Sequence, residues 1–233
     1  MALRLQAIFA GRGALLLRCA EEWLSRGHAI DALVSDEAGA RIWAGERGLP
    51  AHSGLSPGAS AALPDTDFHF LVGHPEDTPG AGLRAPRRRV IAFQDSLLPA
   101  YAGWHATSWA ILHREALHGI TWFAPDSAGA LPLQRVEVPL AADETAFSLD
   151  AKCFDAAVSG FTRLVMDLEN ERETIQPALN VTASFFAAHQ RPPGAGLLLF
   201  TRPAAELAAL ARALDFAGHA NPLCLPKLWL GRA

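Results

Sequence analysis

A run of side chains that could do chemistry lies between Ile91 and Trp122: Gln94, Asp95, Ser96, Tyr101, His105, Trp109, His113 and His118, with Asp126 just beyond. A glutamine amide can donate to and polarise a carbonyl, but it does not titrate, so Gln94 is a candidate hydrogen-bond donor and not a general acid or base. Asp95 is a possible acid, and equally a carboxylate that stabilises a turn. Ser96 sits in D-S-L-L-P rather than G-x-S-x-G, which argues against a hydrolase nucleophile. The three histidines are not spaced i, i+3 or i+4, so they do not make a metal pair on one helix face. Trp104, Trp109 and Trp122 read as core or pocket wall, and a pocket wall could serve to bind a peptide. Asp126 is the one carboxylate of its loop.

These residues need a strand, a turn and a helix to position them. The stretch 90–93 reads as a strand, broken by Pro99 and Gly103, and 105–114 reads as a helix. Upstream, 3–10 and 30–34 read as strands, with helices at 14–26 and 38–47 and a further strand at 68–72. Strand and helix alternating in this way predict a parallel sheet with helices on its faces. Downstream come a strand at 133–138, a long amphipathic helix from Ala146 to Glu171, a strand at 197–200 and a helix opened by Pro203. Phe154, Ala157, Val158, Phe161, Leu164, Val165 and Leu168 line the apolar face of the long helix. A division at 172/173 is expected, with a small C-terminal subdomain from 173 to 233.

Gly11-x-Gly13 after the first strand, with Asp36 near the expected distance, is also half of a dinucleotide fingerprint. Leu16 stands where the third glycine belongs, and a tight strand-to-helix turn needs the first two glycines without any cofactor.

With 233 residues and a formal charge of -4, the chain is long enough for a sizeable core and offers no electrostatic pull toward nucleic acid or anionic membrane. Arg87-Arg88-Arg89 reads as a solvated turn rather than a phosphate site. Cys19 and Cys153 fall on apolar helix faces and read as buried thiols; with Cys224 the count is odd, against a disulfide framework. No leader or membrane-spanning segment is apparent, and the expected location is the cytoplasm.

The segment D-S-L-L-P-A-Y-A-G-W-H-A-T-S-W-A-I, with H-G-I-T-W and T-A-F-S-L-D-A-K-C, resembles the formyltransferases, enzymes that move a formyl group from a reduced folate to an amine. F-A-G-R-G-A-L-L-L-R-C-A-E-E-W-L-S-R-G-H and the tail N-P-L-C-L-P-K-L extend the resemblance over nearly the whole chain. Together they look most like the formyltransferase-like module at the front of nonribosomal peptide synthetases. The fold this implies is α/β: a Rossmann-like parallel sheet with a small C-terminal α+β subdomain. It also implies a tight, cis turn at Leu98-Pro99.

The family's motif reads N-x-H-x-S-L-L-P, with an aspartate some thirty residues on. Here Ala92 replaces the Asn and Gln94 the His, and Asp126 aligns with a structural Asp better than with the essential one. The implied catalytic positions are therefore the degenerate Ala92, Gln94 and Asp126, with Ser96, Tyr101, His105, Trp109 and His118 as binding residues. In place of the family's apolar run before the central strand stands Gly73-His74-Pro75-Glu76-Asp77-Thr78, which weakens a pterin site.

Formyl transfer needs fixed donors for a tetrahedral oxyanion and a base for the amine proton. The expected reading is a non-formylating accessory of a bacterial peptide natural-product pathway, holding a peptide, a carrier-bound substrate or a partner enzyme, with no cofactor. The alternatives are an active N-formyltransferase using 10-formyl-tetrahydrofolate, with Gln94, Asp95 or Asp126 in a rearranged site, and another peptide-modifying enzyme on this fold.

Overall fold

The computed structural model describes residues 4–53, 63–73, 83–127, 129–172 and 175–229. The reading of 74–78 as an altered pterin wall lies outside them, as do the start of the first strand at residue 3, much of the loop after residue 53 and the last four residues.

β1 (Gln6–Gly11) is buried along its whole length apart from Gln6. α1 (Gly13–Ser25) follows, and its buried residues Leu16, Cys19, Ala20 and Trp23 recur at helical spacing. Then come β2 (Ala29–Val34), α2 (Ala38–Glu46), β3 (Ala51–His52), β4 (Phe68–Val72) and β5 (Arg89–Gln94). β6 (Ala102–Gly103), α3 (Ala106–Leu112), β7 (Leu117–Asp126), β8 (Gly129–Pro139), α4 (Ala146–Glu169), β9 (Phe185–Phe186) and α5 (Ala204–Leu214) complete the order. Seven strands form one sheet in the order β3-β2-β1-β4-β5-β7-β8. From β3 to β5 all neighbours are parallel. β7 departs from the parallel rule and runs antiparallel to β5, so the sheet is mostly, not wholly, parallel.

Contacts divide the chain into two compact units that interleave along the sequence. The first comprises Met1–Gln94, Thr121–Arg135 and Ala157–Ala178; the second comprises Asp95–Ile120, Val136–Ala156 and Leu179–Ala233. The single cut at 172/173 read from the sequence is a different kind of division from this one.

The first unit is organised around aromatic rings. Phe9 packs on Phe70 at 4.9 Å between centroids, Phe70 on Phe161 at 5.1 Å and Trp122 on Phe161 at 5.1 Å. Trp122 also donates its indole N–H to the Ala157 carbonyl at 3.0 Å, so its one polar atom is satisfied inside the core. Ala157, Phe161, Leu164, Val165 and Leu168 of α4 are buried, as the amphipathic pattern predicts. Cys19 and Cys153 are buried, and burial raises both thiol pKa values, which keeps them protonated and unreactive.

In the second unit, Trp109 of α3 joins Leu210 and Leu214 of α5, Phe186 and Leu223 in a separate apolar cluster. Asn221, at the head of the N-P-L-C-L-P-K-L tail, donates to Ser108 Oγ at 3.2 Å and to the Ala213 carbonyl at 3.1 Å. Its side-chain oxygen accepts from the Leu223 amide at 2.8 Å, so the tail is tied to α3 and α5 by one buried amide.

Two elements differ from expectation. The strand expected at 197–200 is only an isolated bridge between Leu197 and Lys227. A tight turn over Pro193–Gly196 precedes it, and Phe200 remains 76 % exposed, so this apolar run has no partner strand to bury it. Conversely, the stretch read as a bare linker carries β9, which pairs parallel with β6. No helix among the described residues is long and apolar enough to cross a membrane.

Candidate active site

β5 ends in the candidate motif. Side chains alternate along a strand, so Ala92 and Gln94 share one face and Phe93 takes the other. Ala92 is opposite Phe123 in β7, Phe93 opposite Trp122 and Gln94 opposite Thr121. Ala92 and Gln94 are buried, as is Thr121. The structure therefore brings Ala92 and Gln94 together at the carboxyl end of a parallel strand, the usual place for ligand chemistry in such sheets. Neither offers a titratable group. Thr121, which directly faces Gln94, escaped the sequence reading because the β5–β7 register is not visible in one strand alone.

Asp126 is not brought to them. Because β7 is antiparallel, each residue past Thr121 moves away from the level of Gln94. Asp126 is five residues along, about 16 Å at the usual rise of an extended strand. Its carboxylate instead accepts from the Ser127 amide at 2.7 Å, closing a local turn, and the residue is exposed.

The remaining candidates belong to the second unit. Beyond Gln94 the chain bends through Asp95 and Ser96 and passes a cis Leu98–Pro99 bond, as the resemblance implies. Gly103 in β6 approaches β9 so closely that a Cβ there would lie 2.3 Å from the Phe186 carbonyl oxygen, at a φ of +97°. No other residue fits such a crossing. Ser96 is fully buried. His105 takes a left-handed conformation at the N-cap of α3, its ring 6.0 Å from that of Trp104.

His118 is buried and donates Nε2–H to the Asp95 carbonyl at 2.8 Å. Burial lowers its pKa to about 4, so the imidazole is neutral at physiological pH. A neutral ring committed to a backbone carbonyl holds the turn after β5 in shape. Tyr101 gives its hydroxyl proton to Glu115 at 2.7 Å and takes a hydrogen bond from His113 Nδ1 at 3.0 Å. Burial and the neighbouring Glu115 carboxylate raise the phenol pKa, so it stays protonated. Glu115 escaped sequence reasoning: residues 101, 113 and 115 meet only after the chain has traversed α3, and no short motif records that. Trp109 stacks on Phe186 at 4.6 Å.

The rival dinucleotide reading meets a structural explanation for its glycines. A Cβ on Gly11 would lie 1.7 Å from the Val72 carbonyl oxygen, so the crossing of β4 demands glycine there. At the start of α1 the Gly13 amide donates to Glu37 at 2.8 Å, and Arg12 pairs with Asp36 at 2.8 Å. The protein's own carboxylates hold the position a phosphate would take. No group of three or more metal-ligating side chains comes together among the described residues.

Ala92 has no side-chain donor, and Gln94 supplies an amide donor with no base.

No family model matches the chain. It is 32 % identical over 184 residues to methionyl-tRNA formyltransferase of Paramagnetospirillum magneticum, a match covering 74 % of this chain and 59 % of that protein. The chain thus spans about three-fifths of the curated relative's length. A 4-N formyltransferase from Francisella tularensis superposes with a TM-score of 0.72 at 15 % identity, covering 92 % of this chain and 90 % of that one. A sugar N-formyltransferase from Shewanella gives 0.71 at 12 % identity over 92 % and 90 %. The Helicobacter canadensis N-formyltransferase in complex with folinic acid and dTDP-3-aminofucose gives 0.66 at 15 % identity over 91 % and 80 %. At such identities the structures establish the fold, the mostly parallel α/β fold of the formyltransferases.

Proposed function

We propose that this formyltransferase-like chain is a binding protein that does not transfer formyl groups. It would hold a peptide or carrier-bound substrate, or a partner enzyme, in a bacterial peptide natural-product pathway. The observation that carries this reading is the face of β5 at its carboxyl end. Ala92 and Gln94 lie there without a titratable side chain, and Asp126 is five residues away along β7. Losing one oxyanion donor costs on the order of 10²–10³ in rate, and losing the base removes more.

A second reading has its own support. Solved proteins of this fold include an N-formyltransferase in complex with folinic acid, and Gln94 keeps an amide donor at the strand end. In that reading the chain is an N-formyltransferase using 10-formyl-tetrahydrofolate.

Calorimetric titration with a 10-formyl-tetrahydrofolate analogue, alongside a formylation assay on the same sample, separates the two. The binding reading expects no turnover above background. Turnover near the ordinary enzymatic range of about 10 s⁻¹ overturns it in favour of the second.

A further inference from the structure

The second unit contains a cleft of about 340 Å³ between the end of α3 and the start of α5, within the range of small-molecule sites. Its wall includes Trp109, Leu112, Arg114, Arg202, Glu206 and Leu210. Three features distinguish it from a surface dent. Trp109 is 3 % exposed, and its indole Nε1 is buried with no hydrogen-bond partner among the described residues. Trp109 therefore lends the wall apolar ring surface and not a reachable donor. Arg114, held at a φ of +60° just past α3, pairs with no carboxylate among the described residues. Arg202 and Glu206, 3.1 Å apart, supply one charge of each sign.

We infer that this cleft binds a small carboxylic acid on an apolar stem, either a free amino acid or the carboxyl terminus of a peptide. Two guanidinium groups against one carboxylate leave a single positive charge, which suits a monoanion better than a phosphate dianion. The planar guanidinium of Arg114 matches a carboxylate. Leu112, Leu210 and the Trp109 ring receive the apolar stem. Glu206 can take the ammonium group of an amino acid. The inference rests on residues of the second unit alone and does not depend on whether formyl transfer occurs.

The test follows the indole N–H resonances of the ¹⁵N-labelled full chain as N-acetyl-L-leucine is added. The resonance absent from Trp109→Phe should shift as the neighbouring cleft fills, and saturate. Arg114→Ala, at an exposed position, should weaken that binding by about tenfold, the value of one charge-assisted hydrogen bond. L-Leucinamide, which lacks the carboxylate, should leave the resonance in place. Tighter binding of L-leucine than of N-acetyl-L-leucine assigns the ammonium to Glu206 and a free amino acid to the site; the reverse order assigns a peptide terminus. A resonance that stays still at the solubility limit of N-acetyl-L-leucine, or that leucinamide moves equally, overturns the inference. If Trp109→Phe does not fold, the Arg114→Ala titration decides alone: affinity equal to that of the unsubstituted chain refutes the site.

Discussion

The end of β5 and the turn that follows it are adjacent in sequence and have been treated very differently. At the strand end stand Ala92 and Gln94, neither of which titrates. In the turn and α3, every feature that sets backbone shape is in place: the His118–Asp95 hydrogen bond, the Gly103 crossing and the Tyr101–His113–Glu115 cluster. A small side chain such as Ala92 can stand in a strand without disturbing the ladder, because β pairing uses only the backbone. A Cβ at Gly103, or a missing donor under Asp95, would disturb the path of the chain itself. Reactive groups and scaffold groups are thus separable here, and they should fail separately.

The largest expected effect is on the scaffold. Gly103→Ala should cost about 3 kcal/mol or more, read as a large fall in melting temperature or loss of soluble protein, since the new methyl meets a backbone oxygen. Wild-type stability in that variant would show that the β6–β9 crossing yields easily.

A pH effect of similar size should come from His118. Its ordinary pKa of 6.5 falls to about 4 in the folded chain, so between these values the unfolded state binds the extra proton. Its contribution is fully present above about pH 6.5 and is lost as pH falls toward 4, by up to roughly 3 kcal/mol. In His118→Gln, which keeps a donor but does not titrate, denaturant melts across that window should show a flatter slope. An unchanged slope would remove His118 from the account.

At the strand end the sign reverses for activity. Ala92→Asn combined with Gln94→His should cost about 1–3 kcal/mol, because both positions are buried, and raise formyl transfer above background by about 10² if the rest of the site accepts a folate. If the double variant stays silent while a folate analogue binds, more than these two positions has been lost. The smallest effect belongs to Tyr101→Phe: about 1 kcal/mol, for one hydroxyl that bonds Glu115 and His113 near the surface. A loss several times larger in urea melts would make that cluster a structural centre rather than an accessory.

Legibility in the sequence follows the same divide. β4 was readable to the residue, because F-H-F-L-V is an apolar run with clear breaks, and α4 because its apolar residues keep helical spacing over more than six turns. The two-residue strands β6 and β9 carry no period to read, and the apolar run at 197–200 looked like a strand because sequence does not reveal the absence of a partner. Ala92 and Gln94 stood out only against the motif of the family that the chain resembles. The place of Asp126 needed the antiparallel register of β7, a pairing between segments that neither segment encodes by itself.

The interleaving of the two compact units has a consequence for how such a chain can change over generations. Each unit draws on three separate stretches, and the boundaries fall near residues 94, 120, 135, 156 and 178. A crossover between two genes anywhere from 95 to 156 would hand the offspring parts of both units from different parents. Exchange of a whole unit in a single crossover, the easy route for proteins strung from consecutive domains, is closed to this architecture.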